Sequence, residues 1–364
     1  MLAISLFSGA GGDTLGLKRA GITVTAYSEI SKICCTTHDT NFAKCDLITE
    51  NNTSDITRVS NETLATYAGK IDIITAGFPC QGFSNAGKKK DDDPRNTLFK
   101  EFVRVTSIIQ PSIIIGENVK GLLKKTSGSG TKYIDLIDYE FKLIGYNIIY
   151  QVCKTDQYGI PQKRERLIIL GTRNNWKLEF PPPLLLKPNL LNIVKYSMDG
   201  AVKIPEELIA NIPDECILTD MNDSTEISPT TQHPYLVRKL NPTLEQRTYL
   251  MNKQMMQFAN LFSFGKRDSP IHCEIIDIRN PCKTIICTYS HQPRLFVPLK
   301  NKSGYFLRCL LPDELKQIQG FPKDYVFCGN TKEKITQIGN AVPPPLIQHI
   351  VEHLMSVNSD VCKK

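Results

Sequence analysis

Four segments of this 364-residue chain carry side chains of the kind that do chemistry. The first is Phe7-Ser8-Gly9-Ala10-Gly11-Gly12, at the end of the apolar run Leu2–Phe7. Glycines after a strand let the backbone turn tightly and approach a ligand closely. A strand–helix turn without any ligand uses the same residues, so Glu29 is what strengthens the binding reading. It closes the next apolar run about 20 residues on, where a carboxylate can accept from ribose hydroxyls. The second segment is Gly77-Phe78-Pro79-Cys80-Gln81-Gly82-Phe83-Ser84. Cys80 sits between a proline and a polar loop and is placed as a nucleophile. A lone free cysteine is more often a small buried apolar residue. The third is Glu117-Asn118-Val119, after the run Ser112–Ile115, where Glu117 should reach the same sheet edge. The fourth is Gln162-Lys163-Arg164-Glu165-Arg166. In an extended segment Gln162, Arg164 and Arg166 share one face. Two arginines there can hold a phosphate or a base edge, though a solvated edge strand reads the same way.

The elements that must position these groups follow from the hydrophobic pattern. Leu2–Phe7, Ile22–Tyr27, Ile71–Ala76, Ser112–Ile115, Tyr146–Val152 and Leu167–Leu170 read as buried strands. Helices are expected after the glycines at 9, 11 and 12, and at about 30–39, 95–109 and 131–144. Strands alternating with helices imply an α/β fold: a mostly parallel twisted sheet with helices on both faces. The pattern stops near Thr172. From there to about residue 305 periodicity is poor and prolines are frequent, as at Pro181, Pro182, Pro183 and Pro188, which predicts a smaller second domain of irregular build. Val342, Leu346, Ile347, Ile350, Val351 and Leu354 then fall on one face of a final helix, with Pro343–Pro345 in its first turn.

Composition narrows the class. Hydrophobic residues make up 41% and charged residues 22%, which excludes disorder for the bulk of the chain. No apolar run approaches the roughly 20 residues of a membrane span, and Leu2–Phe7 is too short for a signal-peptide core. The 12 cysteines include no CxxC pair and no zinc spacing, so free thiols and no metal are expected. These features predict an intracellular protein that is not secreted. The net charge of +7 suits a polyanionic partner without identifying one.

In order, the segments closely resemble the C5 family of DNA cytosine methyltransferases. The likeness runs through FSGAGG at 7–12, Glu29, SDIT at 54–57, GFPCQGFS at 77–84 and DPRNTLF at 93–99. It continues through ENV at 117–119, YGIPQKRERL at 158–167, RCLLPDELKQIQGFP at 308–322 and QIGNAVPPPL at 337–346, leaving out only about 173–305. One departure is Leu311 and Asp313-Glu314, where family members usually carry a Thr and an Arg-Glu pair. The resemblance implies an S-adenosylmethionine-dependent methyltransferase fold. It also implies transfer of a methyl group from S-adenosylmethionine to C5 of a flipped-out cytosine in duplex DNA, giving 5-methylcytosine.

In that reading Cys80 adds to cytosine C6, Glu117 hydrogen-bonds N3, and Arg166 with Arg164 holds the base carbonyl and supports the thiolate. The cofactor is expected on Phe7, Ser8, Gly9, Gly11, Glu29, Ile30, Asp55, Ile56, Leu98, Asn340 and Ala341. Glu29 would take the ribose and Asp55 the adenine amino group, with Asp46 a weaker rival for Asp55. DNA is expected on Gln81, Ser84, Lys88, Lys89, Lys90, Gln162 and Thr284, with Thr284-Ile285 resembling a dipeptide of family recognition domains. Asn340 requires the last helix to return to the first domain. The catalytic domain is therefore expected over 1–178 plus 335–364, and a target-recognition domain over 179–334. Base-edge contacts that read sequence should then lie within 173–305.

The form resembles a microbial or viral modification methylase: a monomer without a regulatory extension, in the bacterial cytoplasm or inside a host cell, marking self DNA. Three rivals stand beside it. An RNA cytosine-C5 methyltransferase would share the scaffold, but the long recognition region favours DNA. A non-catalytic DNA-binding regulator would not need Cys80, Glu117, Arg164 and Arg166. A nicotinamide-dependent oxidoreductase fits the glycines and Glu29, but the GxGxxG spacing is missing.

Overall fold

The computed structural model describes residues 1–79, 98–128, 130–204, 206, 212–227, 238–239, 262–263, 274–291 and 293–362. Its centre is a seven-stranded sheet of β1 (Leu2–Leu6), β2 (Thr23–Ser28), β3 (Asp46–Leu47), β4 (Ile73–Ala76), β5 (Ile113–Val119), β6 (Asn147–Lys154) and β8 (Glu165–Thr172). The short β7 (Gln162–Lys163) lies outside this sheet. The spatial order is β3-β2-β1-β4-β5-β8-β6. The pairings from β3 to β5 are parallel, while β8 runs antiparallel to both β5 and β6. The expected mostly parallel sheet therefore carries an antiparallel edge.

Near-continuous Ile-rich runs form the central strands because both faces are covered. Alternation sends Ala3, Ile113, Ile115, Ile168 and Leu170 into one core cluster, and Ile4, Ile114, Leu167 and Ile169 into the other. The first cluster holds α1 (Gly12–Arg19), α2 (Lys32–Asn41) and the long C-terminal helix Pro344–Val357. The second holds α3 (Asn61–Ala65), α4 (Phe99–Ile109) and α5 (Tyr133–Leu143). The return of the last helix, expected from Asn340, is seen in the packing of Ile347 on Gly16 of α1.

One strand boundary matters for chemistry. The expectation placed Glu117 after the strand, but β5 continues to Val119 and contains it. The reason is β8. β4 stops pairing at Ala76, opposite Gly116, whereas β8 goes on pairing with β5 as far as Val119 opposite Arg166. Glu117 is thus held by a neighbour on one side and has no β4 partner on the other.

Among its described residues the second region is less irregular than its sequence suggests. Leu295–Asn301 and Gly304–Cys309 form an antiparallel hairpin, joined at its two edges by Leu218–Thr219 and Val202–Ile204. Glu274–Ile275 also pairs with the start of Leu295–Asn301. Five consecutive residues of Leu295–Asn301 are buried, so no period of two was visible. The chain also returns to the first sheet earlier than 335. Arg19 Nη1 donates to the Gly320 carbonyl at 3.3 Å, and the Tyr325 hydroxyl donates to the Ala10 carbonyl.

The segment that departs from the family pattern contains a buried ion pair. Both terminal nitrogens of Arg308 meet the Glu314 carboxylate at 2.7 Å, and Glu314 Oε2 also accepts from the Leu311 N–H at 2.8 Å. Arg308 is 0% exposed. Removing one partner strands the other charge in the interior. Arg308→Met should therefore cost about 3–5 kcal/mol, and pairing it with Glu314→Leu should recover most of the loss. Urea unfolding of the two variants checks this; equal stability of Arg308→Met and the parent would contradict it.

Candidate active site

Strand register alone gathers the candidate residues. Leu6 is level with Ser28 and with Ala76, and Ala76 is level with Gly116. Because these strands are parallel, the next residue on each emerges at one edge: Glu29, Phe7, Gly77 and Glu117. Such an edge, where the chain from β1 crosses to β2 on one side and β4 lies on the other, is where ligands bind in open α/β sheets.

The glycine loop is fixed from several sides. The Phe7 N–H donates to Ser28 Oγ at 3.2 Å and the Ser8 N–H to the Ser28 carbonyl at 3.0 Å. Glu29 Oε2 accepts from the Gly9 N–H and Oε1 from the Ser31 N–H, each at 2.8 Å. Burial pushes the Glu29 carboxyl up, and those N–H groups oppose the rise. A Cβ on Gly12 would lie 2.1 Å from the Val342 carbonyl oxygen, and one on Gly11 2.6 Å from the Phe42 ring. Both glycines therefore serve packing. Gly11, expected on the cofactor, faces the protein. Gly9 differs: at φ 55 a Cβ there would meet nothing within 4 Å.

Sequence reasoning missed Asp13. Its Oδ2 accepts from Ser5 Oγ of β1 and Thr75 Oγ1 of β4, both at 2.6 Å, and its Oδ1 from Ser8 Oγ at 3.3 Å. It thereby ties two strands to the loop, and burial pushes its carboxyl up. Ser8 is consequently turned inward at 6% exposure, with its hydroxyl engaged. In sequence Asp13 looks like an ordinary acidic residue of a helix first turn.

Behind the loop, His38 stacks on Tyr27 at 3.6 Å, and its Nε2 lies 3.0 Å from Thr14 Oγ1. Burial pushes the imidazole down from 6.5 to about 3. The folded value is depressed, so this stability is complete above about 6.5 and is lost as pH falls toward about 3. His38→Phe, which keeps the stack, should flatten the acid side of the stability profile. Thermal melts from about pH 7 to about pH 4 test this, and an unchanged slope would contradict it.

Around the cofactor candidates, Ile30 is 68% exposed beside Glu29, and Phe7 is half-buried at φ 54. Asp55 is half-exposed and accepts from the Thr57 N–H at 3.1 Å and hydroxyl at 2.8 Å. Leu98 is half-buried at the start of α4, and Asn340 is exposed at the end of the helix Thr331–Asn340. Asp46 is exposed on β3. Ile56 is 4% exposed within the core, so its side chain has little surface for a ring.

On the other half of the edge, Glu117 and Arg166 meet. Arg166 Nε lies 2.7 Å from Glu117 Oε1, with side-chain exposures of 14% and 13%. Arg166 Nη1 also donates to the Glu165 carbonyl at 2.8 Å. The intervening Asn118 is buried and donates from Nδ2 to the Phe78 carbonyl at 3.1 Å, holding the start of the Gly77–Ser84 segment beside the pair. Cys80, Gln81, Ser84, Lys88, Lys89 and Lys90 lie outside the described residues.

Two expected roles are corrected by burial. The alternation of Gln162, Arg164 and Arg166 is present, but Gln162 is 0% and Arg164 1% exposed. Gln162 therefore does not face DNA, and Arg164 is spent on the carbonyls of Ile285, Gly339 and Ala341 at 3.1, 3.0 and 3.3 Å. The Ala341 carbonyl is engaged there too, not turned to a ligand. Thr284 is half-exposed, with its hydroxyl on the Lys163 carbonyl at 2.9 Å. Alternation identifies a face; it does not say that a distant segment covers it.

A mostly parallel sheet with a glycine loop and acidic residues at one edge defines an α/β protein that binds a nucleotide-like ligand there. The family model described as "C-5 cytosine-specific DNA methylase" matches residues 1–356, and the chain belongs to that family. It is similar to the Type II methyltransferase M.XorII of Xanthomonas oryzae, at 38% identity over 97% of this chain and 84% of that one. It is also similar to M1.HphI of Haemophilus parahaemolyticus, at 30% identity over 98% and 87%. Among solved structures, a putative DNA modification methyltransferase from an Escherichia coli prophage aligns with TM-score 0.59 at 22% identity, covering 99% of both chains. The Entamoeba histolytica methyltransferase EhMeth aligns with TM-score 0.61 at 17% identity over 98% of both. These two share the fold. The chain is accordingly an enzyme that methylates cytosine C5 in DNA, and it requires a methyl donor.

Proposed function

We propose that the enzyme acts on a cytosine flipped out of duplex DNA, through Cys80 as covalent nucleophile and Glu117 and Arg166 as base-holding groups. The observation that carries this is the Glu117–Arg166 pair at 2.7 Å, on the edge shared with Glu29 and the glycine loop. Cytosine C5 is a weak nucleophile, and addition of the Cys80 thiolate to C6 makes it an enamine. Glu117 hydrogen-bonds N3 and neutralises the charge that develops there. Arg166 is ion-paired with Glu117 and donates from Nη1 to the Glu165 carbonyl, and other N–H groups of its guanidinium would reach the base oxygen. A paired cytosine cannot offer C5 and C6 to these groups from within the stack, so the base leaves the duplex at a cost of a few kcal/mol.

The methyl donor that fits is S-adenosylmethionine, which supplies the methyl group when bound. The open backbone at Gly9, the Glu29 carboxylate, exposed Ile30 and half-exposed Asp55 are the chemistry that such a molecule needs. Glu29 would take the ribose and Asp55 the adenine amino group, with Phe7, Leu98 and Asn340 completing the site. Glu29→Ala and Asp55→Ala should each weaken its binding by about 1–3 kcal/mol. Calorimetric titration measures this, and unchanged affinity in both variants would move the site elsewhere.

Target recognition would belong to the stretch from 179 to the strand Gly304–Cys309, with Thr284 at the join, and the chemistry to 1–178 and the C-terminal segment that returns to the first sheet by Gly320. The Gln81–Asn96 segment, with Lys88, Lys89 and Lys90, would meet phosphates. The enzyme would work as a monomer inside the cell, marking DNA in a restriction–modification system, a reading supported by its likeness to proteins named Type II methyltransferases. Labelled methyl transfer to duplex DNA against tRNA, followed by bisulfite sequencing of plasmid from expressing cells, tests the reading. Label in tRNA alone would overturn it.

A further inference from the structure

Four stretches distant in sequence meet in one buried polar cluster. Gln162 Nε2 donates to Gln319 Oε1 at 2.6 Å, and Gln162 Oε1 accepts from the Ile285 N–H at 2.9 Å. Gln319 Nε2 donates to the Ala341 carbonyl at 2.7 Å. Arg164 donates to the carbonyls of Ile285, Gly339 and Ala341. Gln162 and Gln319 are both 0% exposed. Cys282–Lys283 runs parallel to Gln162–Lys163 and carries the same join in the backbone.

Apolar side chains would hold these segments together without the desolvation cost of a buried guanidinium. They would also let them slide. Donors and acceptors fixed in number and direction favour one arrangement over its neighbours. Two parts of the molecule gain from that here. Arg166 stands two residues after Arg164, at the start of β8, and meets Glu117. Thr284 and Ile285 stand within the stretch 173–305 that lies between the motifs.

We propose that Gln162, Arg164 and Gln319 are positioning residues. They lock segment 282–285 and the 339–341 backbone to the strand that carries Arg166, so that the duplex is docked in one place relative to the Glu117–Arg166 pair. Loss of the lock lets imperfect sites be used and good ones be used slowly. The proposal rests on the reading of Glu117 and Arg166 as the base-holding pair.

The test uses Gln162→Leu, Gln319→Leu, their double variant, and Gln319→Glu. The last keeps the acceptor for Gln162 but has no N–H for Ala341. Active molecules are counted from the endpoint of covalent capture on 5-fluorocytosine duplex DNA. Per active molecule, single-turnover methylation should slow at least about tenfold. Bisulfite sequencing should show methylation at sites with one wrong base rising at least about threefold. The double variant should be no worse than the worse single one, because both break one network. Gln319→Glu should behave like Gln319→Leu, and with Gln162→Leu it carries the comparison if Gln319→Leu does not fold. Variants with a lowered Tm and fewer active molecules, but parental rate and fidelity per molecule, would overturn the proposal. Glu117→Gln is run alongside. Full activity there sinks the base-holding reading by itself; an inactive Glu117→Gln with parental glutamine variants sinks only the lock.

Discussion

Cys80→Ala is expected to lower methyl transfer by roughly 10⁴-fold or more, the scale seen when a covalent nucleophile is removed. The loss should fall on the chemical step. The cofactor candidates Glu29, Asp55 and Phe7 lie on other loops, so calorimetric affinity for S-adenosylmethionine should stay within about threefold of the parent. A serine in place of the cysteine should do little better. A serine hydroxyl does not ionise to its alkoxide near neutral pH, and attack on C6 needs the anion. Methylation persisting in Cys80→Ala at a tenth of the parental rate would remove Cys80 from the mechanism.

The second large effect is expected from Glu117→Gln, a loss of about 10²–10⁴-fold in single-turnover rate. The amide keeps the size of the carboxyl but cannot deliver a proton to N3. It also breaks the contact with Arg166, whose Nε now meets a carboxylate oxygen at 2.7 Å in a mostly buried position. Arg166→Met should give a loss of similar size, and the double variant should be far from additive because the two side chains act as one unit. Additive losses would mean that the pair is a structural tie with no common task.

The residues that proved legible in the sequence are those whose role is local. Glycines after a strand, an acidic residue at the end of the next, and a Glu two expected strands beyond that each announce themselves by type and position. Parallel register then places Glu29, Phe7, Gly77 and Glu117 on one edge. What the sequence hid is tertiary. Burial alternates from Gln162 to Arg166 as expected, but the strand breaks at Arg164, and segments more than 100 residues away bury Gln162 and Arg164 and leave Arg166 at the edge. Asp13 was invisible because its partners Ser5 and Thr75 lie on two different strands. The hairpin of Leu295–Asn301 and Gly304–Cys309 was missed because a strand buried on both sides carries no alternation. Glu117 was placed past its strand because an antiparallel neighbour that prolongs β5 cannot be read from β5 itself.

The most direct test of covalent catalysis is mechanism-based capture on duplex DNA with 5-fluorocytosine at the target position. Fluorine cannot leave C5 as a proton does, so the adduct at C6 should persist once the methyl group has been transferred. The parent enzyme is predicted to give a complex that survives denaturation, depends on S-adenosylmethionine, and yields on digestion a DNA-linked peptide containing Cys80. Cys80→Ala should give none. A denaturation-resistant complex in Cys80→Ala, or a parental adduct mapped to another residue, would contradict the account.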